Sequence, residues 1–202
     1  MTSTVCVVVL AAGQGSRFRE IAGADQDKLL APCRGHDGVM RPVLEQVLVN
    51  LQAATDTVVV DNIVLLTRPD RHEVIALGRR YGCEIELLDS QGLGDSIAAA
   101  VSAQPDHRGW LVILGDMPFI RPETLTLMIE SLTDAMISVP VKGAEFGHPV
   151  AFGRRFGLAL MALSGERGAK RLFQPGMVRE ISVNDPGVLW DVDTPAALVF
   201  NP

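Results

Sequence analysis

The run Val5-Cys6-Val7-Val8-Val9-Leu10-Ala11-Ala12-Gly13-Gln14-Gly15-Ser16-Arg17-Phe18, followed closely by Lys28-Leu29-Leu30, decides how the chain is read. Its apolar, β-branched start suits a strand buried on both faces, as in a parallel sheet. Gly13 and Gly15 permit positive φ and let backbone N–H groups approach a ligand without Cβ interference. With Arg17 and Lys28 nearby, the loop reads as a seat for a polyphosphate. It is neither of two familiar phosphate loops. The Gly-Lys-Ser/Thr ending of a Walker A loop is absent, and Phe18 stands where a dinucleotide fingerprint needs a third glycine. Taken alone, the loop is explained equally well as an ordinary strand-to-helix turn.

Downstream, strands alternate with helices. Apolar runs at 63–67, 84–88 and 110–114 predict buried strands, with 137–140, 150–152 and 178–183 strand-like in a less regular last third. Pro42 suits the first turn of a helix whose apolar stripe is Val43, Leu44, Val47, Leu48 and Leu51. Asp70 is placed to cap a helix carrying Val74, Ile75 and Leu77. Further helices are expected over 97–103, from Pro122 through Leu132, over 156–163, briefly over 168–173, and after Thr194-Pro195. Residues 19–27 read as an irregular loop, 28–32 as extended, 33–40 as a turn, and 91–96 as a second glycine turn. This alternation predicts an open, mostly parallel α/β sheet with helices on both faces.

With 202 residues and 48% hydrophobic content, the chain has material for one sizeable core, so one domain over 1–202 is expected. A formal net charge of −6 argues against a nucleic-acid partner but not against a local basic pocket. Cys6, Cys33 and Cys83 are widely spaced without a CxxC pair, which points to a reducing compartment. No apolar run is long enough for a membrane span, and a soluble, cytoplasmic protein is expected.

Chemistry is carried by a few residues. Asp116 follows an apolar strand directly, at the sheet end where open α/β folds bind ligands, and a carboxylate there suits Mg²⁺ with phosphate oxygens. It would equally suit a turn before Met117-Pro118. Asp191 and Asp193, two apart in an extended segment, share a face and could address one ion, or simply complement a helix entry beside Thr194. Ser96 either contacts a ligand or caps the following helix. His148, between Gly147 and Pro149, reads as a turn histidine. His36, His72 and His107 lack metal-ligand spacing and are given no role, and no GxSxG nucleophile motif is present.

In order along the chain stand Leu10-Ala11-Ala12-Gly13-x-Gly15-Ser16-Arg17, Lys28-Leu29-Leu30, Gly92-Leu93-Gly94-x-Ser96 and Leu114-Gly115-Asp116-Met117-Pro118. Gly147-His148-Pro149-Val150, Gly165-Glu166-Arg167-Gly168-Ala169 and Asp191-Val192-Asp193-Thr194-Pro195 follow. Together they resemble the nucleotidyltransferases that attach a nucleotide to the molybdenum cofactor, the guanylyl/cytidylyltransferase family. The resemblance implies a single-domain, Rossmann-like nucleotidyltransferase fold of the nucleotide-diphospho-sugar transferase type.

It also implies a CTP or GTP substrate, Mg²⁺ as cofactor and a molybdopterin-type acceptor, with a recipient molybdoenzyme or its chaperone as a further partner. By similarity, Leu10, Ala11, Ala12, Gly13, Gly15, Ser16, Arg17 and Lys28 hold the nucleotide, with Gly92, Gly94 and Ser96 lining its base and ribose pocket. Arg17, Lys28 and Asp116 would be catalytic. Asp116 with Asp191 or Asp193 would bind metal, and His148 would belong to the acceptor side. Leu-Ala-Ala-Gly resembles the cytidylyl branch, so Ala12 points to CTP. The sequence departs from the family at Phe18-Arg19, which replaces Met-Gly, in the longer 19–27 segment, and in 34–41, which replaces a short Gly-Lys-Pro turn. The alternatives are guanylyl transfer to the same cofactor, nucleotidyl transfer to a sugar or alditol phosphate, and a non-catalytic cofactor carrier.

Overall fold

The protein is described by a computed structural model covering residues 5–89 and 92–202. The opening run forms β1 (Val5–Leu10), and the Gly13–Gly15 loop leads into α1 (Ser16–Ala22). A small hairpin of β2 (Pro32–Arg34) and β3 (Met40–Pro42) precedes α2 (Val43–Thr55). Then come β4 (Asn62–Thr67), α3 (His72–Arg80), β5 (Glu84–Leu87), α4 (Leu93–Ala103) and β6 (Gly109–Leu114). The last third holds α5 (Pro122–Glu130), β7 (Ile137–Lys142), β8 (Glu145–Phe146), β9 (Val150–Gly153), α6 (Gly157–Met161) and β10 (Val178–Ser182).

The main sheet runs β10-β7-β9-β6-β1-β4-β5, with β8 paired to β7. β1 lies between β4 and β6 and is parallel to both, Leu10 pairing with Leu66 and Leu114. β9 is antiparallel to β6 and β7, which makes the last third mixed. Alternation along β1 feeds two cores. Val5, Val7, Val9 and Ala11 face the apolar sides of α2, α3 and α5, whereas Cys6, Val8, Leu10 and Ala12 face α4 and α6. Helices thus cover both faces. A third cluster joins Phe18, Ala31, Cys33, Val43, Phe119 and Val192, so Phe18 is a core residue beneath the loop.

The chain passes from β1 outward to β4 and β5, then returns to place β6 on the other side of β1. The carboxyl ends of β1 and β6 therefore flank the topological switch point, where open α/β sheets bind ligands. Gly115 continues this junction by donating its N–H to the Leu10 carbonyl at 2.9 Å, and a Cβ on it would stand 2.9 Å from that same oxygen. Close approach of the two loops requires glycine there.

Several local expectations are corrected. Residues 19–22 are helical, because α1 continues to Ala22 before Gly23 takes positive φ. Residues 28–30 form a turn rather than an extended piece. Asp27 accepts the Leu29 N–H on its side chain at 2.9 Å and those of Leu30 and Ala31 on its carbonyl. The 33–40 turn is the β2–β3 hairpin. Asp70 does not cap α3, since it pairs with Arg68 at 3.2 Å and Arg71 occupies the cap position. Helix α4 begins at Leu93, ahead of residue 97, because Gly165 O accepts the otherwise unpaired N–H of Gly94 at 2.9 Å. Gln91, read as part of that turn, lies outside the described residues. The last helix is a 3₁₀ turn, Pro195–Leu198, with no side-chain cap from Thr194.

Candidate active site

Two adjoining cavities open at the carboxyl ends of β1 and β6. One, of about 210 Å³, is lined by Leu10 to Gly13, Lys28, Ser96 and Asp116. The other, of about 260 Å³, is lined by Leu10, Leu114, Phe146, His148, Lys170 and Phe173. Leu10, Leu93 and Leu114 line both, so the two form neighbouring halves of one cleft.

The glycine loop borders the first half through Ala11, Ala12 and Gly13. Among the described residues, the backbone N–H groups of Ala12, Gly13, Gln14 and Gly15 have no intramolecular acceptor. Gly15 adopts φ 64°, and a Cβ there would stand 3.3 Å from the Lys28 side chain. Gly13 has neither constraint: nothing lies within 4 Å of a Cβ built on it. The fold itself does not require glycine at 13.

Lys28 is the electrostatic centre. Its ammonium donates to Asp116 Oδ2 at 2.5 Å and to Asp193 Oδ1 at 3.2 Å. Burial by itself would lower its pKa, but the two carboxylates reverse this and hold it above the ordinary lysine value. Arg17 reaches Asp193 Oδ2 at 2.9 Å from an exposed position on α1. The Val192 N–H donates to the Asp116 carbonyl at 2.9 Å, and the Val192 side chain is fully buried, which fixes the 191–193 segment beside Asp116. Arg17, Lys28, Asp116 and Asp193 are therefore one network drawn from four separate parts of the chain.

Asp191 stands at the edge of this group, its surface open on one side and its carboxyl partly desolvated on the other. Its pKa is raised, first by burial and then by the negative charges of Asp193 and Asp116. Among the described residues no three His, Cys, Asp or Glu side chains form a ready metal cage. The donors present are nonetheless hard carboxylate oxygens, those of Asp116 and Asp193 meeting at Lys28. A partial protein shell completed by phosphate oxygens is how Mg²⁺ sites are commonly built. The residues fit a divalent cation of that kind.

The other predicted positions divide. Ser96 donates its hydroxyl to Gly92 O at 3.0 Å, inside its own helix turn, while still lining the first cavity. Ser16 is exposed at the start of α1. Gly92 and Gly94 have a packing reason to be glycine, since Cβ atoms on them would lie 2.5 Å from Gly165 O and 2.7 Å from Arg167 O. His148 lines the second cavity, and its Nδ1 is buried with no partner among the described residues. Burial lowers its pKa against the opposing effect of Asp116, so the imidazole is neutral at physiological pH.

Sequence reasoning missed Arg71. Its guanidinium donates to Ala11 O and Gly13 O and pairs with Asp27, bracing the glycine loop from behind. No local motif announces it, because its partners are backbone atoms about sixty residues away.

The mostly parallel sheet, with helices on both faces and its cleft at the switch point, is an α/β fold of the Rossmann-like nucleotidyltransferase type. The sequence matches the MobA-like NTP transferase domain over residues 7–181, and the chain belongs to that family. It is 32% identical over 155 residues to the bifunctional protein GlmU of Cereibacter sphaeroides, a match covering 75% of this chain and 31% of that one. The chain thus spans about a third of the length of the curated relatives it matches. Among solved structures it is similar to Rv0371c from Mycobacterium tuberculosis H37Rv, with 28% identity, a TM-score of 0.75 and 96% of each chain covered. That protein has also been solved in complex with manganese. A nucleotidyl transferase from Methanothermobacter shares the fold at a TM-score of 0.79 and 23% identity, over 96% of this chain and 94% of that one.

Proposed function

We propose that this chain is a single-domain cytidylyltransferase that moves CMP from CTP to the terminal phosphate of a molybdopterin-type cofactor and releases diphosphate. The observation that carries nucleotidyl transfer is the Lys28–Asp116–Asp193 network beside unpaired loop N–H groups, within a chain of the MobA-like family. The choice of CTP rests on Ala12, as part of Leu-Ala-Ala-Gly.

The acceptor phosphate oxygen bonds to the α-phosphorus of CTP as the bond to the bridging oxygen breaks, and diphosphate leaves. The nucleophile is already anionic, so no strong base is needed, and positioning with charge neutralisation supplies the rate. The loop N–H groups and Arg17 hold the triphosphate. Lys28 stays charged and draws negative charge toward the departing diphosphate. Asp116, with Asp193 or Asp191, would hold a divalent cation, Mg²⁺ by expectation, which supplies Lewis-acid neutralisation of phosphate oxygens. His148, neutral and with an unfilled Nδ1, faces the acceptor half of the cleft, whose Lys170 and aromatic walls suit an anionic group on a flat ring.

A CMP-2-keto-3-deoxy-manno-octonic acid synthetase complexed with CTP shares the fold at 16% identity, and a sugar phosphate stays the second reading of the acceptor. Offering each nucleoside triphosphate with purified molybdenum cofactor or with sugar phosphates, and measuring diphosphate, separates these readings. CTP with the cofactor is expected to support turnover. Turnover with GTP alone would overturn the reading of Ala12, and turnover only with a sugar phosphate would overturn the acceptor.

A further inference from the structure

Arg71 lies outside the cleft yet touches the loop that forms it. Its side chain is only 8% exposed, behind the loop. One terminal nitrogen donates to Ala11 O at 3.0 Å and the other to Gly13 O at 2.5 Å. Its Nε stands 3.7 Å from Asp27 Oδ2, and Asp27 Oδ1 in turn accepts the Leu29 N–H at 2.9 Å. One guanidinium thus reaches both the glycine loop and the turn that presents Lys28. The planar fork suits this, since it presents several donors in fixed directions where an ammonium presents one point charge.

In a trans peptide unit the C=O and the following N–H point in opposite directions. The bond joining Ala11 to Ala12 and that joining Gly13 to Gln14 are both trans. Fixing the carbonyls of Ala11 and Gly13 on Arg71 therefore turns the N–H groups of Ala12 and Gln14 to the other side of the loop. Ala11 O also accepts the Thr67 hydroxyl at 3.2 Å, but Arg71 is the side chain that holds alternate carbonyls together.

We propose that Arg71 is a positioning residue that sets the direction of the loop's peptide dipoles, aiming the N–H groups of Ala12 and Gln14 at the triphosphate. This rests on the reading of the loop as the triphosphate seat. Arg71 itself does not take the nucleotide. Its cation faces loop carbonyls and Asp27, and the cavity of about 430 Å³ behind it is lined by Arg19 and Arg68 together with Asp27, Asp70 and Glu73, so that cavity presents no surplus of positive charge.

The test measures equilibrium binding of Mg·CTP to the full chain and to its Arg71→Lys and Arg71→Ala variants, alongside melting without nucleotide. Arg71→Lys keeps the charge and most of the buried stem, so it is expected to fold while binding on the order of tenfold more weakly, the scale of one charge-assisted hydrogen bond lost. Arg71→Ala should bind more weakly still, and millimolar guanidinium should restore part of its affinity by refilling the gap. Near-wild-type affinity in both variants would overturn the proposal. So would a loss that tracks a lowered Tm and ignores guanidinium, because that marks a general structural role. Should Arg71→Ala not fold, Arg71→Lys decides the matter alone. If the wild-type chain binds neither CTP nor GTP with Mg²⁺, the seat reading itself fails and the proposal falls with it.

Discussion

Lys28 and Asp191 experience the same patch of negative charge with opposite consequences. For Lys28 the carboxylates outweigh burial and raise the pKa, so its contribution to folding is fully present below the unfolded value of 10.5 and is lost as pH rises through the folded value. The ammonium is thus constant across neutral pH, and Lys28 predicts no change in turnover from pH 7 to 9 in a pH–rate profile. For Asp191, burial and like charges raise the pKa above 3.8, so its favourable contribution exists at acid pH and is lost as pH rises through the folded value. At neutral pH its ionised form is a cost to the folded chain. Asp191→Asn is expected to leave Tm unchanged or higher by calorimetry, while raising the Mg²⁺ concentration needed for half-maximal turnover. A marked fall in Tm would show that Asp191 is held by favourable contacts instead. The sequence reveals these residue types and places Asp116 at a strand end. It does not show that Lys28 bridges Asp116 and Asp193, because that contact spans 88 and 165 residues.

The glycines separate two jobs that look identical in a motif. Gly94 sits in the first turn of α4 under the carbonyls of Ser164, Gly165 and Arg167, the nearest 2.7 Å from a Cβ built on it, whereas Gly13 meets nothing. Gly94→Ala is therefore predicted to destabilise by about 1–3 kcal/mol, as overpacking does. Gly13→Ala should leave denaturant stability within about 0.5 kcal/mol of wild type, as surface substitutions do, yet weaken CTP binding. Equal stability losses in the two variants would contradict this division. The opening strand was legible because its apolar run and its following glycines both point to a buried parallel strand. Helix α1, the Asp27 turn and the early start of α4 were not. The start of α4 is held from outside its own window by Gly165 O on Gly94, and the turn by the Asp27 side chain on Leu29, which periodicity does not register; α1 is short and buries only Phe18, too little to show a period.

On the scale of the molecule, the order of strands does most to create the site. The return of the chain from β5 to β6 opens the crevice between the ends of β1 and β6, and the antiparallel β9 then brings Gly147-His148-Pro149 to its far side. The alternation of strands and helices made the parallel half readable, whereas β9 runs against its neighbours for reasons of tertiary packing that a short apolar run does not encode. The third apolar cluster has the same character. Trp190 packs on Phe200 and donates its Nε1–H to Ala197 O, tying residues 190–200 down next to the buried Val192 and the acidic pair. Among the described residues no helix is long and apolar enough to cross a membrane.

These scales converge on Asp116, which joins the sheet end, the lysine and the acidic segment. The most direct test compares diphosphate release from CTP by the wild-type chain and by Asp116→Ala, with molybdenum cofactor as acceptor, Mg²⁺ present and the fold checked by circular dichroism. The wild type is expected to release diphosphate, and a folded Asp116→Ala variant to fall by about 10³-fold or more, the scale of removing a principal electrostatic stabiliser. Near-normal Mg²⁺-dependent release by Asp116→Ala, or none from the wild type with any nucleoside triphosphate and acceptor tried, would contradict that expectation.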